Sequence, residues 1–486
     1  MIRLHIRLNN RKRFVISAAM GALLVLVVGG ANALANNYTV WTVSKASTNP
    51  TCLYPTPTTC NTIQTAVTAA SKGDVIVVGP GHYYETVNIS KPNLYLLGAQ
   101  AGNDAREDRH GPESIVDATN QTTAPPAGGG GAAFYVNANN VVIDGFTIQG
   151  GGVTAATPGT NASGIYVTVL GNVSQILNNI IQNNAIGLYF AFSSPYNSYF
   201  VLVKHNLFKT NNAGASGANT APLAGGKGFG IVGYVPADGT DITENKFIGN
   251  KATAILLAGS SNTVVCSNVA ITENTSYEDG SFVVLGYCYN VIFSRNRGKN
   301  FGGQGLLPVL GPYEATAAVE AVAYNQALQI NDNDLGEGRV SGYNGIDFVG
   351  QGAKYACYMC QVSNNRIKRF SGNGIVAEAA ECASTLQWSG ISGNDIEDNG
   401  EDGILIGATP CTIPSSPYNQ YNEYISLVDN EAQGNGVNDC EDDTTGGGHT
   451  PIGTLGTANT WFNNIGNLSY PTGPPPLCTP GRGHDH

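Results

Sequence analysis

Short Val and Ile runs, separated by Asn and Gly, continue from residue 75 to residue 430 without a linker. Within them one pattern recurs: an apolar residue, two further residues, Asn, one residue, then often another apolar residue. It appears as Ile176 with Asn179 and Ile181, Val203 with Asn206 and Phe208, Ile242 with Asn245 and Phe247, and Ile271 with Asn274. It continues as Phe293 with Asn296, Ile330 with Asn333 and Leu335, Val362 with Asn365 and Ile367, Ile391 with Asn394 and Ile396, and Leu427 with Asn430. An earlier copy, Ile143 to Ile148, has Phe146 in place of Asn. The nine Asn are 27, 39, 29, 22, 37, 32, 29 and 36 residues apart, a floor with additions above it. A solenoid coil of fixed minimum girth, with loops inserted at its corners, gives such spacing.

The fold class this predicts is all-β, a right-handed parallel β-helix with one short N-terminal capping helix. Equivalent residues of successive coils then lie about 4.8 Å apart, so the nine Asn become a stacked column whose amides bond to one another. Gly305, Gly374 and Gly403 follow a ladder Asn by nine residues, and Gly345 by twelve; each has a polar residue before it and an apolar strand after it. This reads as a turn needing positive φ ahead of a second strand.

Ten cysteines in an exported chain argue for disulfides. Cys266 and Cys288 each lie eight residues before a ladder Asn, and Cys382 and Cys411 each 17 after one, so stacking predicts 266 with 288 and 382 with 411. Cys52 with Cys60 and Cys440 with Cys478 would close the ends, leaving Cys357 with Cys360 as a short bridge.

Residues 1–35 read as an export signal: Arg3, Arg7, Arg11, Lys12 and Arg13, an apolar run, then Ala33-Leu34-Ala35. Its removal takes five cations and no acid from a net charge of −11, leaving −16. So acidic a chain is a poor partner for nucleic acid or anionic membranes, and no other segment could span a bilayer. The expected product is secreted and monomeric. It divides into an N-terminal region at 36–75, a β-helix at 76–436 and a capping tail at 437–486.

The clearest helix runs from Asn61 to Ala70, with Asn61 or Thr62 as N-cap, Ile63, Val67 and Ala70 on one face, and Gly73 as stop. Thr62-Ile63-Gln64-Thr65-Ala66-Val67, Gly73-Asp74-Val75-Ile76-Val77-Val78, Pro80-Gly81-His82-Tyr83 and Glu85-Thr86-Val87 together resemble the opening of the pectin-lyase-like right-handed β-helix superfamily. The repeats from 141 to 430 resemble that superfamily's coils, and the tail from Cys440 to Cys478 is similar to the ends of secreted bacterial β-helix proteins. The resemblance implies a fold and an extracellular polysaccharide as partner; the superfamily includes pectate lyases, polygalacturonases, pectin methylesterases, alginate epimerases and non-enzymatic surface proteins.

Candidate chemistry is sparse. Insertions near 104–133, 149–163, 209–228, 307–324 and 408–424 are mainly Gly, Ala, Pro and Thr. The segment from Asn344 to Gly350 resembles the nucleophile segment of pectin methylesterases, which makes Asp347 a catalytic candidate. In register it joins the column of Val376 and Leu405, facing outward, with Glu378 in the next coil as its carboxylate partner. Arg366 resembles a substrate-binding cation, yet it also sits in a column of alternating charge, Arg297, Asp334, Arg366 and Asp395, which favours a structural role. Asp442-Asp443 superficially resembles a hydrolase pair but reads as a solvated cap. The histidines show no paired metal-ligand spacing, so no metal site is assigned; Glu278-Asp279 and Glu401-Asp402 leave Ca²⁺ open as a cofactor. Two functions remain: a protein that binds or acts on extracellular polysaccharide, as a lyase, glycoside hydrolase or esterase, and a non-catalytic secreted scaffold.

Overall fold

The computed structural model describes residues 38–481 except 51, 53–57, 108, 120–130, 153–162, 169, 192–199, 213–226, 235–237, 260–265, 303–305, 308–312, 315, 351–354, 378–385, 408–421, 445–457 and 471–475. The leader at 1–35 and the expected Cys382–Cys411 bridge lie outside the described residues. Among the rest, three long parallel sheets run the length of the molecule. One coil contributes a strand to each. Gln175–Leu177 joins the first sheet, Ile180–Gln182 the second and Ile186–Phe190 the third, before Leu202–Lys204 returns to the first.

Matching offsets are superposed as the spacing predicts. In the first sheet Ile176 pairs with Val203, Val203 with Ile242, and so on through Ile271, Phe293, Ile330, Val362, Ile391 and Leu427. All these side chains point inward and are buried. Every ladder Asn from 179 to 394 donates its Nδ2 to the Oδ1 of the next, at 2.8–3.2 Å. Asn430 continues the chain to Asn464, one coil further, and at the other end Phe146 N donates to Asn179 Oδ1. The residue before each ladder Asn, such as Asn178, His205, Glu244 and Glu273, takes positive φ, which turns the chain sharply between sheets.

The bridges 52–60, 266–288, 357–360 and 440–478 are all formed, and Cys266 and Cys288 are direct register partners. Strands Cys440–Asp442 and Thr460–Phe462 pair parallel with the third and first sheets, so the last segment continues the coils.

Two expectations fail. Gly345, Gly374 and Gly403 do not have positive φ. They are Gly because the stack leaves no room: a Cβ on Gly374 would overlap Ile396 and the Gly403 carbonyl, and one on Gly345 would overlap Ile367 and the Gly374 carbonyl. Gly305 lies outside the described residues, but the strand expected after it is not in the third sheet. Leu306–Leu307, which follows it, pairs antiparallel with Tyr313–Glu314 in a separate ribbon, and the coil's third-sheet strand is Ala317–Val322. An insertion shifts the phase there.

The helix Ile63–Ala69 explains the opening motif as an interlock. Thr62 Oγ1 accepts from Thr65 N at 3.2 Å, and the Glu85 carboxylate accepts from Ile63 N and Gln64 N at 3.0 and 2.8 Å. Gln64 in turn accepts from Asn88 N at 2.6 Å. Asp74 accepts from Thr39 N, Ser71 N and Trp41 Nε1 at 2.7–2.9 Å. Ile63, Ala66 and Val67 are buried, so the motif ties the helix to the first coils.

Five residues after the first ladder runs a second: Asn184, Asn211, Asn250 and Asp279 bond amide to amide and finally amide to carboxyl. Burial pushes the Asp279 carboxyl up to about 7, against the hydrogen bonds of Ser276 and Asn250 that pull it down.

Asn296 holds four ladder bonds, accepting from Asn274 N and Nδ2 and donating to Ile271 O and Asn333 Oδ1. Asn296→Ala leaves these buried partners unsatisfied, and we expect a loss of about 3 kcal/mol, read as a lower urea midpoint with unchanged m-value. A second expectation concerns pH. Because folding raises the Asp279 pKa, its stabilising effect is full below about pH 4 and fades as pH rises through about 7. Thermal midpoints should therefore fall from pH 5 to pH 8, and Asp279→Asn should flatten part of that slope; an equally steep slope in the variant would contradict the assignment.

Candidate functional site

The first and second sheets are joined by two residues in successive coils, Asn178-Asn179, His205-Asn206 and Glu244-Asn245, which leaves no space for elaboration. The third sheet differs. Long connections enter it at 150–162, 210–228 and 302–316, and leave it at 191–201, 350–356, 378–385 and 407–425. Long connections are where a solenoid places binding residues.

The outer face of this sheet carries one central column in register: Tyr135, Tyr166, Tyr189, Val232, Leu256, Val284, Glu320, Asp347, Val376, Leu405 and Glu441. The three tyrosine rings stack along the axis with centroids 5.1 and 5.3 Å apart, and burial pushes the Tyr166 hydroxyl up to about 12. From Tyr166 to Val284 the column belongs to an apolar cluster separate from the interior core.

The column changes character abruptly at Glu320 and Asp347, direct register partners in adjacent coils with 2% and 8% exposure. Glu320 Oε1 accepts from Thr316 N at 2.5 Å and Ala317 N at 3.0 Å, where the insertion rejoins the sheet. Asp347 Oδ2 accepts from Asn344 Nδ2 at 2.9 Å and Thr316 Oγ1 at 3.4 Å. Burial first, and the neighbouring Asp347 charge second, push the Glu320 carboxyl up to about 8. Burial thus favours the protonated form of Glu320 at neutral pH beside a second carboxyl group, the arrangement in which two acids can take different roles. Tyr343 lies beneath, its hydroxyl bonded to Gly280 O and Ala317 O, and burial together with Glu320 raises it well above its usual range.

Asp347 is in the column of Val376 and Leu405, as its offset predicts, and its register partner in the preceding coil is Glu320. Glu378 lies outside the described residues. Glu320 was hidden because the insertion at 302–316 shifts its offset from the ladder; the visible signal was one acid inside the apolar run Ala317–Val322. Arg366 is not brought to this face. It sits on the second sheet, where the column Arg297, Asp334, Arg366 and Asp395 is in register and Arg366 Nε lies 3.6 Å from Asp395. Asp442 is no solvated cap residue: it is buried and accepts from Trp461 Nε1 at 2.8 Å. Among the described residues no three His, Cys, Asp or Glu converge on a metal site. Of the segments considered for Ca²⁺, Glu278 pairs with Arg339 at 3.0 Å and Asp279 is committed to the second ladder.

No protein-family model matches the chain, and no curated protein matches it. Solved structures do. The catalytic domain of a GH87 alpha-1,3-glucanase in complex with nigerose aligns at 13% identity over 88% of this chain and 70% of its own, with a TM-score of 0.53. The A-module of a mannuronan C-5 epimerase from Azotobacter vinelandii aligns at 14% identity over 83% and 94%, with a TM-score of 0.45. Pectin methylesterase PemA from Erwinia chrysanthemi aligns at 15% identity over 56% and 82%, with a TM-score of 0.32. Three parallel sheets wound coil upon coil, and the likeness to the glucanase domain across most of the chain, make this protein a right-handed parallel β-helix.

Proposed function

We propose that the protein is exported and acts on an extracellular polysaccharide laid along the outer face of the third sheet, hydrolysing a glycosidic bond at Glu320 and Asp347. The observation that carries this reading is the buried register pair itself, one member of which keeps its proton up to about pH 8. Glu320 donates that proton to the glycosidic oxygen as the bond to the anomeric carbon breaks. Register partners in adjacent coils hold their carboxyl groups about 5 Å apart, the spacing of a retaining pair, so Asp347 attacks the anomeric carbon as nucleophile, and Glu320 then takes a proton from the water that releases the sugar, which regenerates both groups.

The column around the pair contains Tyr, Val, Leu and acids but no Lys or Arg, which favours a neutral glycan over a polyuronate. A neutral sugar lacks the carboxylate that β-elimination needs, so hydrolysis is preferred to lyase chemistry. The bridges and the leader support an oxidising, extracellular setting. The GH87 domain is a glucanase on a similar scaffold, which makes α- and β-glucans the first substrates to try.

The test is a panel of neutral glucans, pectin and alginate, read as new reducing ends. Glu320→Gln and Asp347→Asn should each lower kcat about 10²–10⁴-fold on the accepted substrate, and the rate should fall as pH rises through about 8 as Glu320 loses its proton. Thermal midpoints of both variants, measured in parallel, separate lost chemistry from lost packing at Thr316 and Ala317. Parental turnover in both variants would remove the site, and binding without new reducing ends on any glycan would return the protein to the scaffold class.

A further inference from the structure

The outer face of the second sheet has the opposite electrostatic character. Lys209 pairs in register with Ile248, Ile248 with Tyr277 and Tyr277 with Lys299, while beside this row Lys246 pairs with Thr275 and Thr275 with Arg297. Lys209, Arg297 and Lys299 are exposed and Lys246 is half-buried. The four cations thus occupy a strip four coils long, about 14 Å at 4.8 Å per coil.

Neutralising partners are conspicuous by their placement elsewhere. On the turn before this sheet, Glu244 pairs with Lys204 and His205 at 2.7 and 2.8 Å, and Glu273 with Arg295 at 3.1 Å. On the turn after it, Glu278 pairs with Arg339 at 3.0 Å. Two coils further along the same face, Lys368 is held by Asp395 and Glu397. Among the described residues no carboxylate forms an ion pair with Lys209, Lys246, Arg297 or Lys299, including Asp334, the register neighbour of Arg297. A chain of net charge −11 has acids to spare, so four unpaired cations in one strip mark a concentration of positive potential.

We infer that this strip is a second binding surface that holds a linear polyanionic polysaccharide, independent of the third-sheet site. One residue of an extended sugar chain is comparable in length to one coil, so acid groups along the polymer meet cations in the first, second and fourth coils of the strip. Tyr277 and Ile248 lie between the cations of the outer row and offer an apolar floor to the sugar rings. Along the border that faces the first sheet the strip meets only two-residue turns, which suits an extended strand held along its length.

The experiment titrates full-length protein with polygalacturonate, with neutral dextran and with duplex DNA of equal total charge, by affinity electrophoresis at 50 and 300 mM NaCl. The expected result is binding to polygalacturonate that weakens at least tenfold at the higher salt, while any dextran binding, which belongs to the third-sheet site, is unchanged by salt and by substitutions in the strip. Lys209→Glu, Lys246→Glu, Arg297→Glu and Lys299→Glu combined should lower that affinity at least tenfold, leaving the thermal midpoint and glucan turnover unchanged. Should the fourfold variant fold poorly, Lys209→Gln with Lys299→Gln should still lower affinity severalfold. Equal binding by the variants, absent binding at 50 mM, or tighter binding of DNA than of polygalacturonate would each overturn the inference. Because Glu320→Gln leaves the strip intact, its loss of turnover with retained uronate binding keeps the two sites distinguishable.

Discussion

A primary amide carries two donors and a two-lone-pair acceptor, and at the turn between the first and second sheets each ladder Asn uses all of them. Asn206, for example, donates to Ile176 O and to Asn245 Oδ1 while accepting from Asn179 N and Nδ2. A residue that could only donate or only accept would break the chain after one coil. Asn alone has both functions on a side chain short enough to reach the adjacent turn. Once the amides are in line, a strand on either side of them can slip only by leaving buried groups unpaired, which costs about 1–3 kcal/mol each. The ladder therefore sets register for all three sheets, and each outward column, acidic or basic, inherits its alignment from it.

That dependence explains what the sequence made legible. The ladder has a rigid local signature, so the fold, the first-sheet register and the 266–288 bridge could be read from offsets alone. Offsets stop working where an insertion intervenes between the ladder and the strand in question. Glu320 follows Asn296 by 24 residues and Asp347 follows Asn333 by 14, so no common offset revealed that they stack. The second ladder was obscured for another reason: its column passes from Asn184, Asn211, Asn250 and Asp279 to Phe301, Gly338 and Phe370 before returning to Asn399 and Asn435. An amide column can give way to an aromatic one because Gly338 leaves room for the Phe301 and Phe370 rings, whose centroids lie 6.4 Å apart across it, and rings leave no buried polar atom to satisfy.

The glycines teach a related lesson. A polar residue followed by Gly and an apolar strand has the chemistry of a turn, and local reasoning assigned positive φ to Gly345, Gly374 and Gly403. Positive φ is instead carried by Asn, Asp, Glu, His and Arg before the ladder, residues such as Asp332, Arg295 and His205 that tolerate the conformation at modest cost because the stack holds them there. The glycines are required by the neighbouring coil, through the absence of space for a Cβ. Sequence shows that a glycine is needed; only the packing between coils shows why.

The same winding also explains how one chain separates opposite charges without separate domains. Side chains alternate across a strand, so each sheet gives its inward positions to the core and leaves its outward ones free to vary column by column. On the third sheet burial, not exposure, governs: the Glu320 carboxyl, pressed among apolar neighbours, is pushed toward its protonated form, so it can sit against Asp347 without two full charges meeting. On the second sheet the outward residues face water, and Lys209, Lys246, Arg297 and Lys299 keep their charges with no partner required. Local acids would be expected to condense onto these cations in so acidic a chain. They do not, because Glu244, Glu273 and Glu278 lie on turn columns whose backbone aims them at Lys204, Arg295 and Arg339. Register thus decides which charges meet, and an acidic protein can present a basic surface wherever its columns keep the two signs apart.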